Sequence, residues 1–368
     1  MAFADIIQRA WRENIPYSAL VELTYRCNLD CFFCYNDLKL QGVPLSREHY
    51  FQLFEDLRAL GTVELALTGG EPLAHPDFFP LGRKARELGF VIRVKSNGHA
   101  LTGKLARRLK DEVDPFGVDI SLHGASAEIH DRQTRTPGSF QQLLANLREM
   151  QAAGLRVRLK TPLTVWNEND IEALYELADE RGLRLDLDPT ITPRDDDELG
   201  PLTIAPPRES VLRLFQLQRQ RAARTQPPPA RPPAAHSREE TSGVPADKHC
   251  GAGSGGLAVD PYGNVYPCVQ WRRRVGNLHE QSIQSIWNSS PDLADIRRLN
   301  IAVKQQIGGY GDAGRSMAFC PGLAAQQTGS PLHLYPAAKL RLELHAHLES
   351  RQSQDSVTDV SASEENTP

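Results

Sequence analysis

The stretch YRCNLDCFFCYND, residues 25–37, sets Cys27, Cys31 and Cys34 within eight residues, and these are three of only six cysteines in the chain. Thiolates this dense suit a metal centre, and a [4Fe–4S] cube takes four of them. Three in one loop would leave one iron without a protein ligand, open to a substrate or a cofactor. The same spacing also fits a zinc site completed by a distant residue, or three unrelated thiols. Further along, LTGGEPLAHP joins Gly69 and Gly70, which let backbone approach a ligand closely, to Glu71, an acceptor for an ammonium group. KSNG (95–98) offers Asn97, and SLHG (121–124) offers Ser121 and His123. Taken singly these are turns, and His123 is a structural imidazole. LDLDP places Asp186 and Asp188 on one face of a strand, where either can accept a proton or simply solvate a rim.

The elements that must position these groups repeat as strand, turn and helix. Strand-forming runs fall at 19–24, 63–67, 91–95, 118–122, 156–160 and 183–188, with helical patterns between them and a further helix at 208–224. Alternation of this kind predicts a parallel sheet with right-handed crossovers. Six units are short of the eight in a closed barrel, so the expected fold is α/β, an open partial (β/α)6 TIM-like barrel over residues 18–223. The polar turns all fall after their strands, at the end where parallel barrels carry their chemistry. Residues 1–17 read as a short amphipathic helical segment and 224–248 as a Pro-rich linker. Residues 249–336 form a smaller module with Cys250, Cys268 and Cys320, in which VDPYGNVYPC reads as a hairpin. Residues 337–368 read as a C-terminal helix and a disordered polar tail.

Composition narrows the classes. A chain of 368 residues, 40% hydrophobic and with a formal charge of −4, predicts a globular protein with no nucleic-acid or membrane partner. No apolar run approaches a membrane span, and the N-terminus lacks the apolar core of a signal peptide. A cytoplasmic location follows, where clustered cysteines favour metal over disulfides.

CxxxCxxC, followed about 35 residues later by GGEP on a six-unit β/α frame, resembles the radical SAM enzymes across residues 18–205. The resemblance implies a [4Fe–4S] cluster on Cys27, Cys31 and Cys34, with S-adenosylmethionine on the open iron. Gly69, Gly70 and Glu71 would meet its methionyl amine, and Asn97 and Ser121 its ribose or carboxylate. Reductive cleavage would then give a 5′-deoxyadenosyl radical that takes hydrogen from a substrate. Residues 250–330 are similar to the SPASM domain, through Cys250, Gly263, Cys268, GNL and SIQSIWNSS. That domain has seven cysteines and two auxiliary clusters. Here Cys250, Cys268 and Cys320 remain and Leu323 stands where another cysteine is expected, so the similarity implies a shortened module with one auxiliary Fe–S cluster, folded back over the barrel mouth. A zinc knuckle or a module that binds nothing are the competing readings.

VELTYRCNLDCFFCYN and LALTGGEPL carry a closer resemblance to the pyrroloquinoline quinone precursor-peptide cyclase group. It implies a precursor-peptide substrate, a separate peptide-chaperone protein, and flavodoxin or ferredoxin as electron donor. Two alternatives remain at this point: an enzyme of tetrapyrrole or small-cofactor biosynthesis, and a non-catalytic Fe–S or zinc-binding protein.

Overall fold

The computed structural model describes residues 3–225 and 248–348. Six β-branched and leucine-rich runs form the strands β1 (Ser18–Thr24), β2 (Glu64–Gly69), β3 (Val91–Ser96), β4 (Gly117–Ser121), β5 (Val157–Pro162) and β6 (Arg184–Asp188). Neighbours in this series all pair in parallel, so each connection must cross over the sheet. Helices make the crossings. After α1 (Phe3–Glu13) at the N-terminus come α2 (Arg47–Ala59), α3 (Phe78–Glu87), α4 (Gly103–Glu112), α5 (Ala127–Thr134), α6 (Ser139–Ala152) and α7 (Ile171–Asp179). In α2 the Ser46 hydroxyl accepts from the His49 N–H, and Tyr50, Leu53, Phe54 and Leu57 form one buried face.

Period two divides every strand. Val21, Leu65, Leu67, Ile92, Val94, Val118, Ile120 and Leu159 are buried beneath the helices. Their alternates face the concave side, and many of these are charged: Arg93 and Lys95 on β3, Asp119 on β4, Arg158 and Lys160 on β5, Asp186 on β6. The lumen of this barrel is therefore polar, unlike the packed interior of a closed eight-stranded one.

The strand order is β6-β5-β4-β3-β2-β1-β7-β8-β9, so β6 never meets β1 and the barrel stays open. Beyond β1 the sheet continues into the cysteine-bearing C-terminal region. There β7 (Gly256–Val259) pairs in parallel with β1, from Ser18↔Gly256 to Val21↔Val259, and β8 (Asn264–Tyr266) and β9 (Gly276–Asn277) follow as an antiparallel meander. The hairpin thus extends the barrel sheet, while Ala318, Cys320, Tyr335 and Arg341 reach the mouth near β5 and β6. The remaining helices are α8 (Arg208–Thr225), α9 (Ile283–Ser289), α10 (Pro291–Gly308), α11 (Gly311–Ser316), α12 (Pro321–Thr328) and a last one over residues 336–348.

The N-terminal helix clasps the C-terminal region. Lys248 Nζ donates to Trp11 O at 2.5 Å and to Asn14 Oδ1 at 2.6 Å. Trp287 is buried, and its Nε1 donates to Asn14 O at 2.7 Å. Most of the Pro-rich segment (226–247) and the polar tail (349–368) lie outside the described residues. Among the described residues, no helix is long and apolar enough to cross a membrane.

Candidate functional site

The loop after β1 carries Cys27, Cys31 and Cys34, and it is pinned on both sides. On one side the backbone of Gly70 donates to Thr24 O at 2.7 Å and that of Glu71 to Arg26 O at 2.9 Å. The approach is so close that a Cβ on Gly70 would stand 2.5 Å from Arg26 O, and one on Gly69 would stand 2.3 Å from Thr24 O. Gly69 also has φ +130°, a region that suits glycine alone. On the other side, Phe32 N donates to Gln133 O on α5 at 3.1 Å, and the Phe33 ring meets His123 at 4.8 Å. Between these two anchors the thiols are held as neighbours. Burial pushes Cys31 up to about 12, helped by the nearby charges of Cys34 and Cys27, and burial raises Cys27 and Cys34 as well. Bare thiols in such a place stay protonated; bound iron would replace the proton. The donor set therefore fits an iron–sulfur cluster.

Glu71 is almost fully buried. Its carboxylate accepts from the Ser96 hydroxyl at 2.9 and 3.0 Å, from Asn97 N at 2.9 Å and from Leu73 N at 3.1 Å. Burial raises its pKa, and these donors pull the other way. The carboxylate thus ties the β2 turn to the β3 turn. Asn97 extends the tie, its Nδ2 lying 2.8 Å from Asn28 Oδ1 and 3.7 Å from Cys27 Sγ.

Below the loop lies a cavity of about 650 Å³, lined among others by Phe33, Ser121, His123, Lys160, Asp186 and Arg341. The two aspartates differ there. Burial opposes ionisation of Asp186, yet Lys160 at 2.5 Å, with Arg184 and Arg158 close by, holds its carboxyl below the ordinary range. Asp188 accepts from Thr190 N at 2.8 Å and from Arg341 at 3.2 Å. It lines both this cavity and a second one of about 380 Å³ that reaches Cys320, as do Phe33, Pro162, Thr190, Ala318 and Arg341.

Cys250, Cys268 and Cys320 form the second thiol set. The Cys250 Sγ–H donates to Asn300 Oδ1 at 3.2 Å, and Asn300 Nδ2 donates to Ala252 O at 3.0 Å. Burial pushes Cys250 up to about 11, with the charge of Cys320 adding to it. Cys268 is raised by burial and then by Cys320 and Cys250, so the three stand together. Cys320 caps α12, where the N–H groups of Gly322 and Leu323 turn toward its sulfur and oppose the rise that burial causes. N–H donors of this kind are what a metal-bound thiolate needs around it. Leu323 itself is core, packed with Val303, Phe319 and Tyr335. Among the described residues, no three His, Cys, Asp or Glu side chains close tightly enough to hold a single metal ion.

One charged group at this site escapes a motif reading. Arg272 binds Glu22 through both arms, at 2.9 and 3.0 Å, and touches Asp195 at 2.7 Å. Glu22 has no exposed surface. Burial pushes Asp195 up to about 7 against the pull of Arg272, with Glu22 adding to the rise. The triad ties β1, the segment after β6 and the C-terminal region together beside the cysteine loop.

A partial barrel with one thiol triplet at its mouth, and a second in which Cys250 and Cys268 flank the β7–β8 hairpin and Cys320 heads α12, fits an iron–sulfur enzyme. Residues 21–179 match the model of the radical SAM superfamily, and residues 250–308 match an iron–sulfur cluster-binding domain of the SPASM type. The chain is 31% identical to a PqqA peptide cyclase of Rhizobium meliloti, over 75% of its own length and 74% of the relative's. It is 27% identical to an AdoMet-dependent heme synthase of Methanosarcina barkeri, over 77% of its own length and 85% of the relative's. In fold it is similar to native anSMEcpe with bound AdoMet and Cp18Cys peptide, with a TM-score of 0.68 at 16% identity, covering 92% of this chain and 99% of that one. The chain belongs to the radical SAM superfamily and carries a SPASM domain. Its cofactors are a [4Fe–4S] cluster, S-adenosylmethionine and an auxiliary Fe–S cluster.

Proposed function

We propose that this enzyme matures a ribosomally made peptide, removing a hydrogen atom from one residue to begin an oxidation, a cross-link or an epimerisation. The likeness to the PqqA peptide cyclase, which runs through 75% of this chain, carries the reading. Bound S-adenosylmethionine, reduced by one electron, supplies the 5′-deoxyadenosyl radical that takes the hydrogen. The chain's own part is to hold and aim. Cys27, Cys31 and Cys34 hold the barrel cluster, and Cys250, Cys268 and Cys320 the auxiliary one. Gly69, Gly70, Glu71, Asn97 and Ser121 seat the cofactor. Asp188, which lines both cavities, would take the proton released if the substrate radical passes its electron to the auxiliary cluster that Cys250, Cys268 and Cys320 would hold. Asp186 keeps Lys160 and its neighbours in place. A separate peptide-binding protein and a flavodoxin or ferredoxin are the partners this chemistry calls for.

A second reading, a tetrapyrrole substrate, is favoured by the heme synthase relative, 85% of whose length is matched. The two part on one experiment. Anaerobically reconstituted enzyme is given S-adenosylmethionine, a reductant and either a precursor peptide encoded near its gene or coproporphyrin III. The peptide is expected to stimulate 5′-deoxyadenosine release and to change in mass or chirality. Stimulation by the porphyrin alone would replace the peptide reading with the second one.

A further inference from the structure

The charged residues of the lumen pair in a chain. Arg93 contacts Glu64 at 3.4 Å and Asp119 at 3.9 Å. Arg158 bridges Asp119 at 3.1 Å to Asp186 at 3.3 Å. Lys160 and Arg184 complete the shell around Asp186. Every acid in this chain has a basic partner, and one base is left over. Lys95, among the described residues, makes no hydrogen bond and no ion pair.

Its position makes that unusual. Lys95 lies on β3, an inner strand of the sheet, with Asp119 of β4 as its backbone register partner. Val94 and Ser96 on either side of it are buried, so the lysine side chain points the other way, into the lumen. By surface area it is open. Protein nevertheless surrounds it, and burial lowers its pKa, with Asp119 raising it and Lys160 lowering it further. Lys95 lines a cavity of about 480 Å³ with Leu20, Ala66, Cys268 and Glu64, whose carboxylate is held by Arg93. Lys160 faces it electrostatically and lines the adjoining cavity beside Ser121.

An ammonium partly desolvated by the protein around it, and without an ion partner, is stabilised by a nearby anion. We propose that Lys95 is the receptor for a carboxylate of the substrate, holding it in the cavity that Leu20, Ala66 and Cys268 line with it. Lys95 is the one base of this group without an ion partner, and a single carboxylate is enough to pair it. The cofactor is not the source of that carboxylate: Lys95 lies two residues, about 7 Å along the strand, below Asn97 at the cofactor end. The proposal rests on the enzyme acting on a substrate in this lumen. An acidic side chain of a peptide and an acid arm of a tetrapyrrole offer the same chemistry.

Binding of matched probes tests it, using reconstituted enzyme saturated with S-adenosylhomocysteine. One pair is coproporphyrin III and its tetramethyl ester. The other is a dodecapeptide library containing Glu and the same library with Gln throughout. In at least one pair the acid form is expected to bind about tenfold or more tightly. Lys95→Met should abolish that preference and Lys95→Arg should keep it, with iron content unchanged in both. Absence of any acid preference in the unaltered enzyme overturns the proposal, as does a preference that survives Lys95→Met. A parallel loss of S-adenosylhomocysteine affinity in Lys95→Met also overturns it, because the ammonium then serves the cofactor. A preference confined to the porphyrin pair upholds Lys95 and counts against the peptide reading. One confined to the peptide pair upholds both.

Discussion

Three donors converge on Glu71: the Ser96 hydroxyl and the N–H groups of Leu73 and Asn97. A glutamine there would turn its own amide donor toward one of them. Glu71→Gln is therefore expected to cost on the order of 1–3 kcal/mol of stability. It should also lower 5′-deoxyadenosine formation at least about tenfold while iron content holds, because the misplaced group is the turn that carries Asn97. Thermal melting and a turnover assay check the two halves separately, and an unchanged turnover rate would refute the link. The sequence allowed Glu71 to be read as a ligand group, since GGEP states a residue type and a loop. It could not reveal that the carboxylate is already engaged by neighbours 25 and 26 residues further on. The cysteine triplets were legible because their chemistry lies in residue type and local spacing. Lys95 was not, since being unpartnered depends on what every other strand sends into the lumen.

Where β4 meets α5, three imidazoles are buried: His99, His123 and His130. Burial lowers the pKa of each, that of His130 to about 4. A histidine whose folded pKa lies below its unfolded value stabilises the fold above the unfolded pKa, and that contribution drains away as pH falls through the folded one. For His130 the window runs from about 6.5 down to about 4, with a contribution on the order of 3 kcal/mol. His130→Gln should therefore lose less stability than the parent on acidification from pH 7 to pH 4.5. Parallel melting curves across that range would contradict the assignment. Elements themselves were easy to read: six strands with helices between them emerge from period and turn residues, and the observed strand ends fall within two residues of those expected. Pairing was harder. The β7–β8 hairpin is a local pattern, but β7 finds its parallel neighbour β1 more than 200 residues earlier, which no local pattern encodes.

Across the whole molecule, barrel and C-terminal region share one sheet and one buried ion triad. Arg272→Ala would leave Glu22 charged, without exposed surface and without its partner, a loss of roughly 3–5 kcal/mol. The double change Glu22→Gln with Arg272→Met should be markedly milder than Arg272→Ala alone, because no lone charge remains. Denaturant titration of the three proteins decides this, and a double variant as unstable as the single one would count against the argument.

The pairing of β7 with β1 has one more consequence, which concerns solubility. Without the C-terminal region, β1 would become a sheet edge, its run ALVELT offering a row of unpaired N–H and C=O groups to any other chain. Most of its side chains are apolar, and the strand carries no lysine or proline to discourage such pairing. A barrel expressed by itself should stick to its own copies. Loss of activity on truncation would then report a raw edge rather than a missing cluster, and the auxiliary site is better probed by changing its cysteines one at a time within the intact chain.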